Sequence, residues 1–186
     1  MIARIAHTPY EAVVNVGCAE GYYAVGLARL MSATQVYAHD TNERAQEACR
    51  DLAELNGVAH RMHVGGMFER NDVSRFTGRR TLIICDIEGA ERDLLDPDVC
   101  PALHEVDILV ECHDCFVPGL SALLANRFAQ SHHVEKIAQR IADRNLPDFF
   151  AELADLDRLL AIWEWRMGPT PWLWMQSHQQ VQLCSK

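Results

Sequence analysis

The chain alternates between short apolar runs of strand length and longer stretches whose apolar positions recur at helical spacing. Val13 to Val16 is the first run and enters a turn containing Gly17, Cys18, Ala19 and Gly21. The chain leaves that turn with Val25, Leu27, Ala28, Leu30 and Met31 spaced as a helix that runs to about Met31. Ser32 and Thr34 mark a turn, and Gln35 to His39 reads as a second strand that ends at Asp40. Asn42 and Glu43 open a strongly periodic helix with Ala45, Ala48, Cys49, Leu52, Ala53 and Leu55 on one face, and Asn56-Gly57 stops it. Arg61 to Val64 predicts a third strand, followed by Gly65-Gly66. Thr81 to Cys85 (TLIIC) lacks alternation, the mark of a strand covered on both faces of a parallel sheet, and it ends at Asp86. Asp107 to Val110 repeats that pattern and ends at Glu111. Leu120 to Phe128 predicts a helix, His133 to Gln139 a sixth strand, Pro147 to Trp165 an added helical segment, and Trp172 to Met175 a last strand. Strands alternating with helices predict an α/β, doubly wound sheet. In such a sheet the ligand sits beyond the carboxyl ends of the strands, where these acids and glycines collect.

Composition narrows the partners. With 186 residues and 49% hydrophobic content, the chain suits one globular domain over residues 1–186, and no internal repeat, low-complexity tract or linker divides it. A formal net charge of -9 with only Lys136 and Lys186 as lysines argues against nucleic acid, whose phosphates draw their affinity from Lys and Arg. Residues Met1 to Glu11 make a short lead-in without the apolar core of a secretory signal. No apolar run approaches the roughly 20 residues of a membrane span. A cytoplasmic protein with no membrane partner is expected. Cys112 and Cys115 form one C-x-x-C, but no second ligand pair accompanies it, which disfavours a zinc or redox reading.

The glycine turn and the acids carry the chemistry. Gly17-Cys18-Ala19-Glu20-Gly21 is not the G-x-G-x-x-G of a dinucleotide site, because Ala19 stands at the second glycine and Gly21 follows two residues later. The shape G-x-A-x-G fits a ligand without phosphates, whose charged sulfonium and amino-acid tail lie along the loop. A tight turn without ligand is the alternative. Asp40 lies about twenty residues past the loop, where an acid accepts bonds from both hydroxyls of a ribose. Asp40 as a helix N-cap is the alternative there, and Thr41 or Asn42 would cap instead and leave it free for the sugar. Asp86, Glu88 and Glu91 follow the fourth strand and read as a site lining beside the cationic sulfonium. For Glu91 a solvated helix start remains open.

Three segments resemble the FkbM-type family of class I S-adenosylmethionine (SAM)-dependent methyltransferases. NVGCAEGYYAVGLA (Asn15 to Ala28), with paired Tyr22 and Tyr23, is similar to the family's SAM loop. CDIEGAERDLL (Cys85 to Leu95) is similar to its hallmark after the fourth strand, and DILVECHD (Asp107 to Asp114) to its fifth strand. The resemblance covers roughly Val13 to Asp114. It implies a Rossmann-like, mostly parallel seven-stranded sheet whose last strand is antiparallel. It also implies methyl transfer from SAM, usually to a hydroxyl oxygen of a metabolite or sugar. Asn15, Gly17, Cys18, Ala19, Glu20 and Gly21 would hold the methionine part, Asp40 and Thr41 the ribose, and Gly66 and Met67 the adenine side, with Asp86 and Ile87 beside them. Two positions depart from the family. Asn15 stands where an acid usually ends the first strand, and Thr41 where proline often follows the ribose acid. The family usually has a longer N-terminal region over the substrate. Here that cover is expected from Pro147 to Trp165, from a partner subunit, or not at all.

A hydroxyl acceptor benefits from a base that takes its proton. His113 is the first candidate, at the pocket rim, with Glu88 and Glu91 next; a structural histidine is the alternative. No metal ligand is assigned, although Asp86, Glu111 and His113 at neighbouring strand ends could instead hold Mg²⁺. The Asn/Asp-Pro-Pro-Tyr/Phe turn of amino-group methyltransferases is replaced by Asp86-Ile87-Glu88-Gly89. Two rival functions remain, a non-catalytic SAM-binding or scaffold domain and an NAD-dependent oxidoreductase. Trp163, Trp165, Trp172 and Trp174 are read as either a homo-oligomer interface or core and lid packing.

Overall fold

The computed structural model describes residues 1–137, 146–163 and 167–183. Its centre is a seven-stranded sheet: β1 (Ala12–Val16), β2 (Gln35–His39), β3 (Met62–Gly65), β4 (Thr81–Cys85), β5 (Asp107–Glu111), β6 (His132–Ile137) and β7 (Trp172–Ser177). The strand order is β3-β2-β1-β4-β5-β7-β6, and β7 is antiparallel to both β5 and β6. The helices are α1 (Ile2–Ala6), α2 (Tyr22–Leu30), α3 (Glu43–Leu55), α4 (Glu91–Leu94), α5 (Leu120–Phe128), α6 (Asp155–Ile162) and α7 (His178–Leu183).

The period-2 geometry of a strand sends successive side chains to opposite faces, so each buried strand supplies two cores. Ala12, Val14 and Val16 of β1 join Ile83 and Cys85 of β4 and Ile108 and Val110 of β5 in a cluster closed by Leu94, Leu120, Leu124 and Phe128. Val13, Leu82, Ile84 and Leu109 face the other way, onto Ile5, Ala24, Val25, Leu27, Cys49 and Ala53 of α1, α2 and α3. This is why TLIIC and its neighbours are apolar without alternation. Asn15 belongs to the second face, beside Ala38 and Ile84 in register.

The order of strands decides where a site can form. β2 and β4 flank β1, so the chain crosses from one side of the sheet to the other between β3 and β4. Such a switch opens a crevice at the carboxyl ends of β1 and β4. The predicted strands agree with the observed ones to within two residues at each described end, and the end of the predicted sixth strand beyond 137 lies outside the described residues. Asn42 caps α3 as expected, its side chain accepting from the Arg44 N–H.

Two segments add detail to the sequence reading. The lead-in forms a one-turn helix, α1, which buries Ile5. The helical segment expected over Pro147 to Trp165 is made of two pieces, a 3-10 turn, Asp148–Glu152, and α6, and its end at 164–165 lies outside the described residues. The extended residues Leu153 and Ala154 separate the two pieces, and none of the residues in either piece is buried. Of the tryptophans, Trp174 is buried, Trp172 packs edge-on to Tyr23, Trp163 is exposed, and Trp165 lies outside the described residues. No described helix is long and apolar enough to cross a membrane.

Candidate functional site

A cleft of about 910 Å³ opens at the carboxyl ends of β1, β2, β3 and β4. Its floor is set by one glycine. Gly17 has φ of 76°, and a Cβ there would lie 1.7 Å from the carbonyl oxygen of Asp86. Only a residue without a side chain lets the end of β1 press against the end of β4. The close approach is thus first to the protein's own backbone. Gly21, with φ of 95°, starts α2 where a Cβ would meet the Cys49 sulfur at 2.7 Å.

Backbone amides then lash the strand ends together. The N–H groups of Gly17 and Cys18 both donate to the His39 carbonyl, and Asp86 N–H donates to Val16. Asp40 is part of this lattice. One of its carboxylate oxygens accepts from Ala19 N–H at 2.9 Å and the other from Asn42 N–H at 2.9 Å. The sequence left Asp40 free for a ligand, and in this respect the structure corrects it, because the carboxylate already fixes the glycine turn to the start of α3. Each oxygen keeps a second lone pair, and Asp40 lines the cleft.

Of the residues singled out in the sequence, Gly17, Asp40, Thr41, Gly66, Met67, Asp86, Ile87 and Glu88 line the cleft. Asn15 lies beneath the turn, 1% exposed, and neither end of its side-chain amide has a hydrogen-bond partner. Such an orphaned amide is costly in an apolar layer and marks a place where a ligand group can complete it. Cys18 is buried, and Ala19, Glu20 and Gly21 shape the turn without lining the cleft. The described cysteines are free, with Cys112 buried.

The structure adds His39, Phe68 and Arg70 to the lining. His39 Nδ1 is 3.0 Å from the Gly66 carbonyl, and its ring meets Phe68 edge-on. Burial holds its pKa below the ordinary histidine value, against the opposing pull of the Gly66 carbonyl. The sequence signal for it is its place as the last residue of β2, immediately before the acid.

The acids after β4 and the histidine after β5 meet. The loop from Asp86 to Glu91 folds tightly, with Glu88 at φ of 55°, a strained value for a residue with a Cβ. Glu91 is fully buried, contrary to a solvated helix start. Its Oε1 accepts from Ile87 N–H at 3.1 Å and lies 2.7 Å from His113 Nδ1. Its Oε2 is buried without a partner. The other ring nitrogen, His113 Nε2, lies 3.5 Å from Asp86 Oδ1 and 3.3 Å from Glu88 Oε2. The His113 ring stacks on Phe116, and its carbonyl accepts from the N–H groups of Phe116 and Val117. Burial acts to lower the His113 pKa, but the hydrogen bond and charge of Glu91, with the charges of Glu88 and Asp86, outweigh it and raise the pKa. The group the structure gathers is Asp86, Glu91 and His113, with Glu91 in the place expected for Glu111.

No protein-family profile matches the chain. Over 89 residues it is 33% identical to ribosomal protein L11 methyltransferase of Acinetobacter baylyi, a stretch that makes up 47% of this chain and 29% of that protein. The chain therefore spans less than a third of the length of this curated relative. The O-methyltransferase TomG from Streptomyces achromogenes, solved in complex with SAM, superposes with a TM-score of 0.62 at 12% identity, over 95% of this chain and 76% of that one. An O-methyltransferase from Bacillus cereus in complex with SAH superposes with a TM-score of 0.60 at 13% identity, over 95% and 77% of the two chains. At such identities the likeness is one of fold, and the chain has the Rossmann-like fold of the class I methyltransferases.

Proposed function

We propose that the protein is a SAM-dependent methyltransferase that methylates a hydroxyl oxygen of a small molecule or sugar. One observation carries this reading: Gly17 of the glycine turn, Asp40, the Gly66-Met67 pair, Asp86 and Glu88 share a single cleft at the switch point of the sheet. SAM, when bound, supplies an electrophilic methyl group on a sulfonium sulfur.

The residues present fit that molecule. The cradle at Gly17 admits no side chain, and the unpartnered Asn15 amide beneath it suits an amino-acid tail. Asp40 and Thr41 would hold the ribose and Gly66 and Met67 the adenine, with Asp86 and Ile87 beside them. Asp86 and Glu88 place negative charge where a sulfonium is stabilised. SAM bound in one chain of the same fold and SAH in another support this reading, as does the local identity to a methyltransferase. The FkbM-type assignment within the superfamily rests on the Asn15 to Ala28, Cys85 to Leu95 and Asp107 to Asp114 segments.

Glu88 lines the cleft and is assigned to the acceptor end, with His113 and Glu91 buried behind it rather than at the rim where His113 was expected. Glu91 receives the Nδ1–H of His113 and so fixes the neutral tautomer whose lone pair is on Nε2. That lone pair is the functional atom at this end, and it exists only when the ring is unprotonated. The carboxylates hold the ring's pKa up, so activity is expected to climb as pH rises through a value above the ordinary histidine range.

Calorimetry with SAM, S-adenosylhomocysteine (SAH) and NAD tests the proposal. Binding of SAM and SAH is expected, and binding of NAD alone would overturn it in favour of an oxidoreductase. Tight SAM binding without turnover on a pool of hydroxylated metabolites would leave a binding or scaffold domain.

A further inference from the structure

We propose that Cys18 and Cys49 are a modification site, a thiol pair that hydrogen peroxide closes into a reversible disulfide across the glycine turn, weakening the cofactor cradle. The two cysteines come from different elements, Cys18 from the turn after β1 and Cys49 from the middle of α3. Both are free thiols in one buried cluster, Cys18 at 4% and Cys49 at 0% exposure. Their side chains share a hydrogen bond, so the two sulfurs are in contact.

The glycine turn brings them together. Gly21 N–H donates to the Cys18 carbonyl at 2.8 Å, which curls the turn back over its own start. A Cβ on Gly21 would lie 2.7 Å from the Cys49 sulfur and 3.3 Å from the Cys49 Cβ, so α3 presents Cys49 directly to the turn. Any side chain at position 21 would displace that sulfur. Thiols already in contact need only a small approach to reach disulfide geometry. The other buried thiols, Cys85, Cys100 and Cys112, lie in the cluster on the opposite face of the sheet.

The pair is also set apart by its proton. The hydrogen bond from Cys18 holds the Cys49 thiol below its ordinary pKa against the effect of burial, while the same bond and burial push Cys18 up. Cys85 and Cys112 are both raised by burial and by neighbouring acids, Cys112 to about 12. A small oxidant is required, because the pair is buried next to the exposed Ala19 and Glu20. The Cys49 thiolate attacks one peroxide oxygen, the O–O bond breaks, and hydroxide leaves as water with the proton of the Cys49 thiol. The Cys18 sulfur then attacks the Cys49 sulfenic acid, an S–S bond forms, and the oxygen leaves as water with the Cys18 proton. Two thiols lose two electrons in all, and one hydrogen peroxide is reduced to two waters.

The disulfide draws the sulfurs to about 2.05 Å and the turn toward α3. On the same turn, Ala19 N–H is bonded to Asp40, and Gly17 is pressed against the Asp86 carbonyl. Moving Cys18 between them spoils the cradle that both contacts shape. This consequence rests on the methyl-transfer reading of the cleft, whereas the thiol chemistry does not.

The test treats the reduced full chain with hydrogen peroxide and maps its peptides by mass spectrometry without reduction. A cross-link joining Cys18 to Cys49 is expected, with a loss of SAH affinity by calorimetry of about tenfold or more that dithiothreitol reverses. In Cys49→Ala, peroxide should leave SAH affinity where it stood before treatment. Peptides in which Cys18 and Cys49 stay free, or pair with other cysteines, overturn the site, and this map needs no variant to fold. An affinity loss that persists in Cys49→Ala, or equal SAH affinity with and without the cross-link, overturns its effect on the cradle. SAH binding without the cross-link sinks the thiol pair alone. The cross-link in a chain that binds neither SAM nor SAH in its reduced form sinks methyl transfer alone.

Discussion

Two buried histidines mark opposite ends of the sheet and show how differently the ends are built. His113, 4% exposed, stands just past β5 at the carboxyl end among three carboxylates, and its pKa is raised. His132, 2% exposed, starts β6 at the other end. Its Nε2 lies 2.9 Å from the Val106 carbonyl, its Nδ1 lies 2.9 Å from the Ser131 hydroxyl, and burial pushes its pKa down to about 4. The acids repeat the contrast. Asp107, at the start of β5, receives the Tyr10 hydroxyl on one oxygen and the Ser177 N–H on the other. Glu91 leaves one buried oxygen without a partner. Asp107 and His132 are satisfied as they stand, which is what a fold needs. The His113 group carries an unmet charge and an open gap, which is what a ligand needs.

The largest effect is expected at the unsatisfied end. His113→Gln should lower turnover by about 10²–10⁴-fold, the range for losing a positioned acid–base group, while the folded protein still binds SAH. If turnover falls no further than in His132→Gln, corrected for folded fraction, the distinction between the two ends collapses. Gly17→Ala comes next, because its Cβ cannot coexist with the Asp86 carbonyl. SAH affinity should drop at least tenfold, and urea unfolding should show a loss of roughly 1–3 kcal/mol, the cost of a forced backbone conformation.

The satisfied end is tested by pH. His132 titrates near the ordinary value of 6.5 when unfolded and near 4 when folded. Its folded pKa is depressed, so its contribution is complete above pH 6.5 and is lost as pH falls from there toward 4. The loss reaches about 3 kcal/mol at most, by the conversion of pKa shift to free energy. Urea unfolding across that window should steepen with acid in the natural protein and flatten in His132→Gln. Equal steepness in both would remove His132 from the account. The smallest effect belongs to Asp40→Asn, which keeps an acceptor for one backbone amide but loses the charge. SAH binding should weaken by several-fold and stability by about 1 kcal/mol, the worth of a charged hydrogen bond exchanged for a neutral one. No change in either would return Asp40 to a bystander.

Much of this was legible in the chain. The central strands β1, β4 and β5 follow from apolar runs ending at acids or glycines, because burial on both faces leaves no room for polar alternation. The cleft residues Gly17, Asp40 and Asp86 follow from the same boundaries, and Gly66 and Met67 from the family resemblance. The helical segment from Pro147 was legible, but not that extended Leu153 and Ala154 divide it into two pieces, nor that Leu156, Leu159 and Leu160 stay exposed. Glu111 misled. It ends β5 and is buried, yet the acid beside His113 comes from the far side of the Asp86 loop.

Local sequence thus determined which residues form strands, where the chain turns tightly, and that acids gather at one end of a parallel sheet. These depend on side-chain type and spacing within a few residues. Only the tertiary structure decided that Gly17 yields to the Asp86 carbonyl rather than to a ligand alone, that Asp40 holds two backbone amides, and that Glu91 rather than Glu111 backs His113. Each of these depends on where β1, β2, β4 and β5 end relative to one another. That register is fixed by packing between strands far apart in sequence, and no spacing along the chain records it.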